Sequence, residues 1–328
     1  MTEKDNNSLR LTNFIRMCGE LACLLEVSAT PKPGNVHRFR DFYDVRYEDF
    51  LASSVSFGYW IEELALKGSQ IRTDPTKWSE LHLGLTIKKA VEQSNFFHGR
   101  GNTNLGIILL LAPLSVAAGM TFDSKFSNCN SVDLNLAVID VMKNTTVEDA
   151  IAVSEAIALA NPGGLGEAAR YNVKSDSFRD ELIQDNITLE LLMLNCKSRD
   201  NICFELSQSY MITFHTGLPI LQRTISQCND INIATINTYL AILASFPDTL
   251  VQRKLGKELA NNISDRAKTI NSLGGALTVE GRRELEEFDI ELREETEKIN
   301  PGTTADLVAS TLFAYLLSGG KLWPLEQK

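Results

Sequence analysis

The chain has 328 residues, 44% of them hydrophobic, which is enough to bury a substantial core in one large domain or two of ordinary size. Its formal net charge of −10 and pI near 5.1 exclude a general nucleic-acid binder, whose contact face must neutralise phosphates with Lys and Arg. Any polyphosphate it binds therefore requires a local basic patch or a metal ion.

The first residues, MTEKDNNSLR, are polar and acidic and lack the basic start and apolar centre of an export signal, so the expected compartment is the cytoplasm. LRLTNFIRMCGELACLLEV then repeats apolar residues at three and four, a helical period. It runs into TPKPGNVHRFRDF, residues 30–42, where Pro31 and Pro33 stiffen the backbone and Gly34 permits a turn. Such a loop can present Lys32, His37 and Arg38 on a rigid support, with Glu26 about one helical turn before it.

The next punctuation, HGRGNTNLGIILLL, feeds a Gly-rich and amide-rich turn into an apolar helix, a setting in which backbone N–H groups attract anions. No GKS or GKT follows, so it is not a Walker A loop. The longest apolar stretch, Asn104 to Met120, contains Pro113 and falls short of the roughly 20 residues that span a bilayer; it reads as a buried core helix. VDLNLAVIDVMKN and VEDAIAVSEAIALA continue the helical period, the second with Thr146 as its start signal.

ANPGGLGEAARYNV places Gly163, Gly164 and Gly166 beside Pro162, followed by Glu167 and Arg170. With no strand before it, it is not a dinucleotide fingerprint. ELIQDNITLELLMLN and INTYLAILASF read as helices, and SFPDTLVQRKLG sets Asp248 and Thr249 at a helix start with Arg253 and Lys254 a turn later. EGRRELEEFDIELREETEKIN mixes both charge signs and reads as a solvated helix. NPGTTADLVAS offers Thr303 or Thr304 as a cap and puts Asp306 at the head of a last apolar helix.

The fold class expected is all-α, a single multi-helix globular domain with polar loops at 29–45, 97–104, 121–130, 161–176, 215–222, 245–250 and 297–303. Six cysteines without a CxxC pair indicate neither a zinc site nor a disulfide framework and read as reduced thiols. Four histidines at unrelated spacings make no transition-metal pattern. The loops share glycines, amides, carboxylates and isolated cations, hard-ligand chemistry that suits a magnesium-polyphosphate site on helix ends. Taken singly, each acid reads first as a plain helix cap.

LLEVSATPKPGNV resembles the "EV…PKPGLVD" signature of the triphosphoribosyl-dephospho-coenzyme A synthase family. Four further family motifs recur in order: "NTHKG" against NTNLG, "GGxRGE" against GGLGE, "DTNxxHR" against DTLVQRK, and "PGGSADLLA" against PGTTADLVA. The resemblance implies an all-α enzyme in which the ribose 2′-hydroxyl of dephospho-coenzyme A attacks C1′ of the ATP ribose, adenine leaving and the triphosphate staying. It matches Glu26, Lys32, Pro33 and Gly34; Asn102, Thr103 and Gly106; Gly163, Gly164 and Glu167; Asp248 and Thr249; and Pro301, Gly302, Ala305 and Asp306.

The departures are specific. Asn104 and Leu105 stand where the family has His and Lys, Leu165 or a deletion where it has Arg, Leu250 where it has Asn, and Arg253 and Lys254 where His and Arg are expected. The working assignment takes ATP as substrate and Mg2+ as cofactor held by Asp248 and Asp306, with Glu26, His37 and Glu167 catalytic and His98 a second candidate acid. Lys32, Gly34, Asn35, Arg38, Asn102, Thr103, Asn104, Gly163, Gly164, Thr249, Arg253, Lys254 and Thr304 would bind substrate, Asn35, His37 and Arg38 setting its specificity. Partners are small molecules, with neither nucleic acid nor membrane, and a homodimer is left open. A magnesium-dependent N-glycoside hydrolase, a ribosyltransferase with another acceptor, and an inactive nucleotide-binding protein stand as alternatives.

Overall fold

A computed structural model describes residues 3–98, 103–122, 129–166, 170–294 and 299–322. Among these residues the chain is all-α: 16 α-helices, one π-helix and two 3-10 helices, with no strand and one isolated bridge between His37 and Arg40. No described helix is long and apolar enough to cross a membrane.

The N-terminal pattern forms α1 (Glu3–Ser28), followed by α2 (Tyr47–Ser56), α3 (Gly58–Thr73) and α4 (Leu83–His98). The longest apolar stretch is α5 (Leu105–Thr121), which runs through Pro113. A helix apolar on every side has no face to offer water, and α5 is buried almost all round. After α6 (Ser131–Lys143), α7 (Val147–Ala160) begins with a reciprocal cap. Asp149 N–H donates to Thr146 Oγ1 at 3.2 Å and Thr146 N–H to Asp149 Oδ2 at 2.9 Å.

The stretch ELIQDNITLELLMLN is not one helix. It divides into α8 (Phe178–Gln184) and α9 (Leu189–Cys196), with Asn186 in the left-handed region at φ 50° and Thr188 capping α9. Asn and Thr compete with the helix for its own backbone groups, and here they win. Nor is 215–222 an interhelical loop: after α10 (Asn201–Ser207), a π-helix (Ile212–Gly217) runs into α11 (Leu218–Cys228). Pro219 reads as a breaker but occupies the first turn, where a missing N–H breaks no helical hydrogen bond.

The remaining helices are α12 (Ile231–Ser245), α13 (Thr249–Leu255), α14 (Lys257–Ser272), α15 (Val279–Glu294) and α16 (Gly302–Leu317). Because α16 starts at Gly302, Thr303 and Thr304 lie inside its first turn rather than capping it. One contiguous apolar core draws on α1, α3, α5, α12 and α16, and α16 packs on α1, α5, α12 and the π-helix.

Cys196 and Cys203, expected as thiols, are joined by a disulfide with Cα atoms 5.7 Å apart. The pairing depends on the turn between α9 and α10, which a search for CxxC spacing does not see. Cys18, Cys23 and Cys129 are buried free thiols, and burial pushes Cys18 up to about 12, so it stays protonated and inert.

Candidate active site

The loop after α1 is held from both sides. Thr30 N–H donates to Asn232 Oδ1 at 2.9 Å, Asn232 Nδ2 donates back to Thr30 O at 2.8 Å, and Tyr239 Oη donates to Pro33 O at 2.8 Å, all from α12. Gly34 takes φ 69°, and a Cβ there would lie 2.9 Å from Ile299 O, so both conformation and space demand glycine. Its N–H donates to Asp289 Oδ1 at 2.9 Å.

Asp289 is 4% exposed on α15. It also faces His37 Nε2 at 3.4 Å and accepts from Arg293 Nε at 2.8 Å, while Arg293 Nη2 donates to Asn35 O. The charged stretch expected to be a solvated helix thus supports the loop with two of its side chains, and Leu285, Phe288 and Leu292 on the same helix are buried.

This packing turns most of the loop's polar groups away from solvent. Lys32 is fully buried and pairs with Glu26, its Nζ donating also to Glu26 O at 2.9 Å. Burial pushes Glu26 up and Lys32 down, each partner counteracting the other's shift. His37 is buried, with Thr30 Oγ1 at 3.1 Å from its Nδ1, and burial lowers its pKa against the pull of Asp289. Arg38 is exposed and donates to Ser28 O at 2.6 Å.

Beside the loop lies a cleft of about 1320 Å³. Glu26 and Asn35 border it from the first segment, Thr103, Leu105 and Gly106 from the second, and residues 162–166 with Arg170 from the third. Leu250, Gln252, Arg253 and Lys254 border it from the fourth, and Gly302, Thr303, Ala305 and Asp306 from the fifth. All five sequence segments therefore meet at one cavity.

Within them the structure separates groups that sequence reasoning put together. Glu26, Asn35, Thr103, Gly163, Gly164, Arg253, Lys254 and Asp306 border the cleft, whereas Lys32, Gly34, His37, Arg38, Asn104, Thr249 and Thr304 do not. Asn102 and Glu167, and the His98 side chain, lie outside the described residues. Asn104 is 2% exposed and its amide has no hydrogen-bond partner among the described residues.

The two carboxylates read as metal ligands are in different states. Asp248 is fully buried and caps α13, Leu250 and Val251 N–H donating to Oδ1 at 2.9 and 3.0 Å. Its Oδ2 accepts from Thr304 N–H at 2.7 Å and Thr304 Oγ1 at 2.8 Å, so four donors already fill the carboxylate. Asp306 is half-buried on the cleft wall and has no donor or ion-pair partner among the described residues. Burial pushes its carboxyl well above the usual range, and Glu26, Asp248 and Asp200 push it further while Arg253 opposes them.

No group of three or more His, Cys, Asp or Glu side chains suited to a metal occurs among the described residues. Magnesium is commonly held by one or two carboxylates together with substrate phosphates, and Asp306 fits that arrangement while Asp248 does not. A Cβ on Gly106 would lie 2.0 Å from Asp306 Oδ2, so only glycine lets that carboxylate sit against the head of α5.

One stretch of the wall was not legible in the sequence. Asn195, Cys196, Ser198, Arg199, Asp200 and Cys203 border the cleft. Asp200 caps α10, Ile202 N–H donating to its Oδ1 at 2.7 Å, and its Oδ2 pairs with Arg253. Arg170, Arg199, Arg253 and Lys254 give the cleft four cations beside the carboxylates Glu26, Asp44, Asp200 and Asp306, so in a chain of net charge −10 the cations that a polyphosphate needs are present locally.

The family model described as CitG: ATP:dephospho-CoA triphosphoribosyl transferase matches residues 12–324. The 2-(5''-triphosphoribosyl)-3'-dephosphocoenzyme-A synthase of Klebsiella pneumoniae is 24% identical over 316 residues, covering 93% of this chain and 91% of that one. The "Probable 2-(5''-triphosphoribosyl)-3'-dephosphocoenzyme-A synthase" of Azotobacter vinelandii is 37% identical over 97 residues, 30% of this chain and 32% of that one. A crystal structure from Archaeoglobus fulgidus, assigned as a triphosphoribosyl-dephospho-coA synthase, superposes with a TM-score of 0.61 at 26% identity, covering 83% of this chain and 100% of that one. The chain belongs to the ATP:dephospho-CoA triphosphoribosyl transferase family.

Proposed function

We propose that this chain is a single-domain cytoplasmic transferase that moves the triphosphoribosyl group of ATP to the 2′-hydroxyl of 3′-dephospho-coenzyme A. The C1′–N9 bond of ATP breaks, a C1′–O bond forms, and the hydroxyl proton is balanced by the proton that adenine gains. The observation that carries this reading is the convergence of all five family-matched segments on one cleft. At about 1320 Å³ it exceeds the roughly 300–1,000 Å³ of single-ligand pockets, as a site for two nucleotides should.

In this reading Arg253 and Lys254, with Arg170 and Arg199, bind the triphosphate. Asp306 would hold Mg2+ against the phosphate oxygens, and the ion when bound neutralises part of their charge. Glu26, fixed by Lys32, orients the attacking hydroxyl from the cleft wall. Asp248 positions Asp306 through Thr304, and His37 and Arg38 act on the loop rather than on substrate.

The test is adenine release from ATP and Mg2+ with and without dephospho-coenzyme A. Release that depends on the acceptor is expected. Release without it would mean hydrolysis, and no release in either case would leave only nucleotide binding.

A further inference from the structure

Ser154 lies on α7, is 1% exposed and borders the cleft. Its Oγ has no hydrogen-bond partner among the described residues. Other buried helix hydroxyls in this chain donate to the carbonyl one turn earlier: Ser115 to Leu111, Thr238 to Ala234 and Thr311 to Leu307, at 2.7, 2.8 and 2.9 Å. Ser154 makes no such bond to Ala150, so its hydroxyl is left unsatisfied beside a cavity. A buried hydroxyl in that position is an unfilled contact for a ligand.

The surroundings define the ligand's chemistry. Ile157 lies three residues further along α7 and shares its face with Ser154. Leu105 and Leu109 face the cleft from α5, Leu192 from α9 and Ile202 from α10. None of these carries charge, whereas the cations and Asp306 come from the glycine loop, the α9–α10 turn, α13 and α16. An apolar wall with one buried polar contact suits a flat, uncharged heterocycle with a hydrogen-bonding edge and offers nothing to a phosphate.

We propose that this wall is a purine-base subsite in which Ser154 Oγ hydrogen-bonds the edge of an adenine ring. The identity of the base rests on the transferase reading, in which both substrates carry adenine.

The test measures binding of adenine, ATP, dephospho-coenzyme A, 4′-phosphopantetheine and tripolyphosphate by calorimetry to the full chain and to Ser154→Ala and Ser154→Leu. Loss of one neutral hydrogen bond predicts a roughly three- to tenfold weaker adenine affinity in Ser154→Ala. Ser154→Leu, which also fills the space, should weaken it by more than about tenfold, and tripolyphosphate affinity should be unchanged in both. Removing an unsatisfied hydroxyl should leave the ligand-free Ser154→Ala protein as heat-stable as the wild type or more so, which keeps the test valid if Ser154→Leu fails to fold.

Weaker ATP binding would assign the subsite to the departing base, and weaker dephospho-coenzyme A binding to the acceptor's base; either supports it. Unchanged adenine affinity in Ser154→Ala, or a loss confined to 4′-phosphopantetheine, overturns it. These measurements need no turnover, so a wild type that binds adenine through Ser154 but transfers nothing would keep the subsite and refute only the transferase reading.

Discussion

Asp248 and Thr304, 56 residues apart in sequence, are joined by two hydrogen bonds to a single oxygen, Thr304 N–H and Oγ1 both donating to Asp248 Oδ2 at 2.7 and 2.8 Å. The other oxygen caps α13. One buried carboxylate thus fixes the helix that carries Arg253 and Lys254 against the helix that carries Asp306. Asp248→Ala leaves three backbone N–H groups unpaired and should cost about 3 kcal/mol or more in urea denaturation. Asp248→Asn, which keeps one acceptor, should cost less. A loss of magnesium dependence in Asp248→Asn at unchanged stability would restore the role of metal ligand.

The Lys32–Glu26 pair predicts a structural phenotype where the loop motif suggests a phosphate contact. With both side chains almost fully buried, Lys32→Met strands a carboxylate away from water and should destabilise by about 3–5 kcal/mol. Lys32→Met combined with Glu26→Gln should recover most of that loss. A double-mutant cycle by chemical denaturation checks both; additive losses would contradict the pairing.

Gly106→Ala should act through Asp306. The added methyl would lie 2.0 Å from Oδ2 and forces the carboxylate aside, and a misplacement of about 1 Å at a reacting site can cost about 100-fold in kcat/KM. Alanine suits a helix better than glycine by up to about 1 kcal/mol, so stability should change little. Adding Gly106→Ala to Asp306→Ala should cause no further loss in adenine release; an independent loss would place the effect elsewhere.

Glu205 gives a pH dependence. It is fully buried, and Ile212 and Thr213 N–H donate to its two oxygens at 2.8 and 2.6 Å, which ties α10 to the π-helix. Burial pushes its carboxyl up to about 7, against the pull of those donors, from an ordinary value of 4.5. Between those values the folded chain holds a proton that the unfolded chain has released, so stability falls as pH rises through the window and levels off above it. Wild type should lose on the order of 2–3 kcal/mol relative to Glu205→Gln between pH 5 and pH 8. Parallel stability curves for the two proteins would contradict this.

The helices were legible because their apolar residues recur at three and four, and the reciprocal Thr146–Asp149 cap was visible in outline as Thr146 before an acidic first turn. Loop composition marked where the cavity walls come from, since glycines, amides, carboxylates and isolated cations gather in those segments. Side-chain direction was not legible. Lys32 and His37 face the protein because Asp289 and Arg293, some 250 residues downstream, hold their loop, and a helical stretch rich in both charge signs gave no hint of that contact. The Asp200–Arg253 pair and the Cys196–Cys203 bond escaped notice for the same reason: each depends on how α9, α10 and α13 meet in space.

The central claim is transfer rather than hydrolysis, and mass spectrometry of the reaction mixture tests it most directly. Incubation with ATP, Mg2+ and dephospho-coenzyme A should yield one adenine for each acceptor molecule that gains a triphosphoribosyl group with all three phosphates retained. Adenine accompanied by free ribose triphosphate and unmodified dephospho-coenzyme A would contradict it.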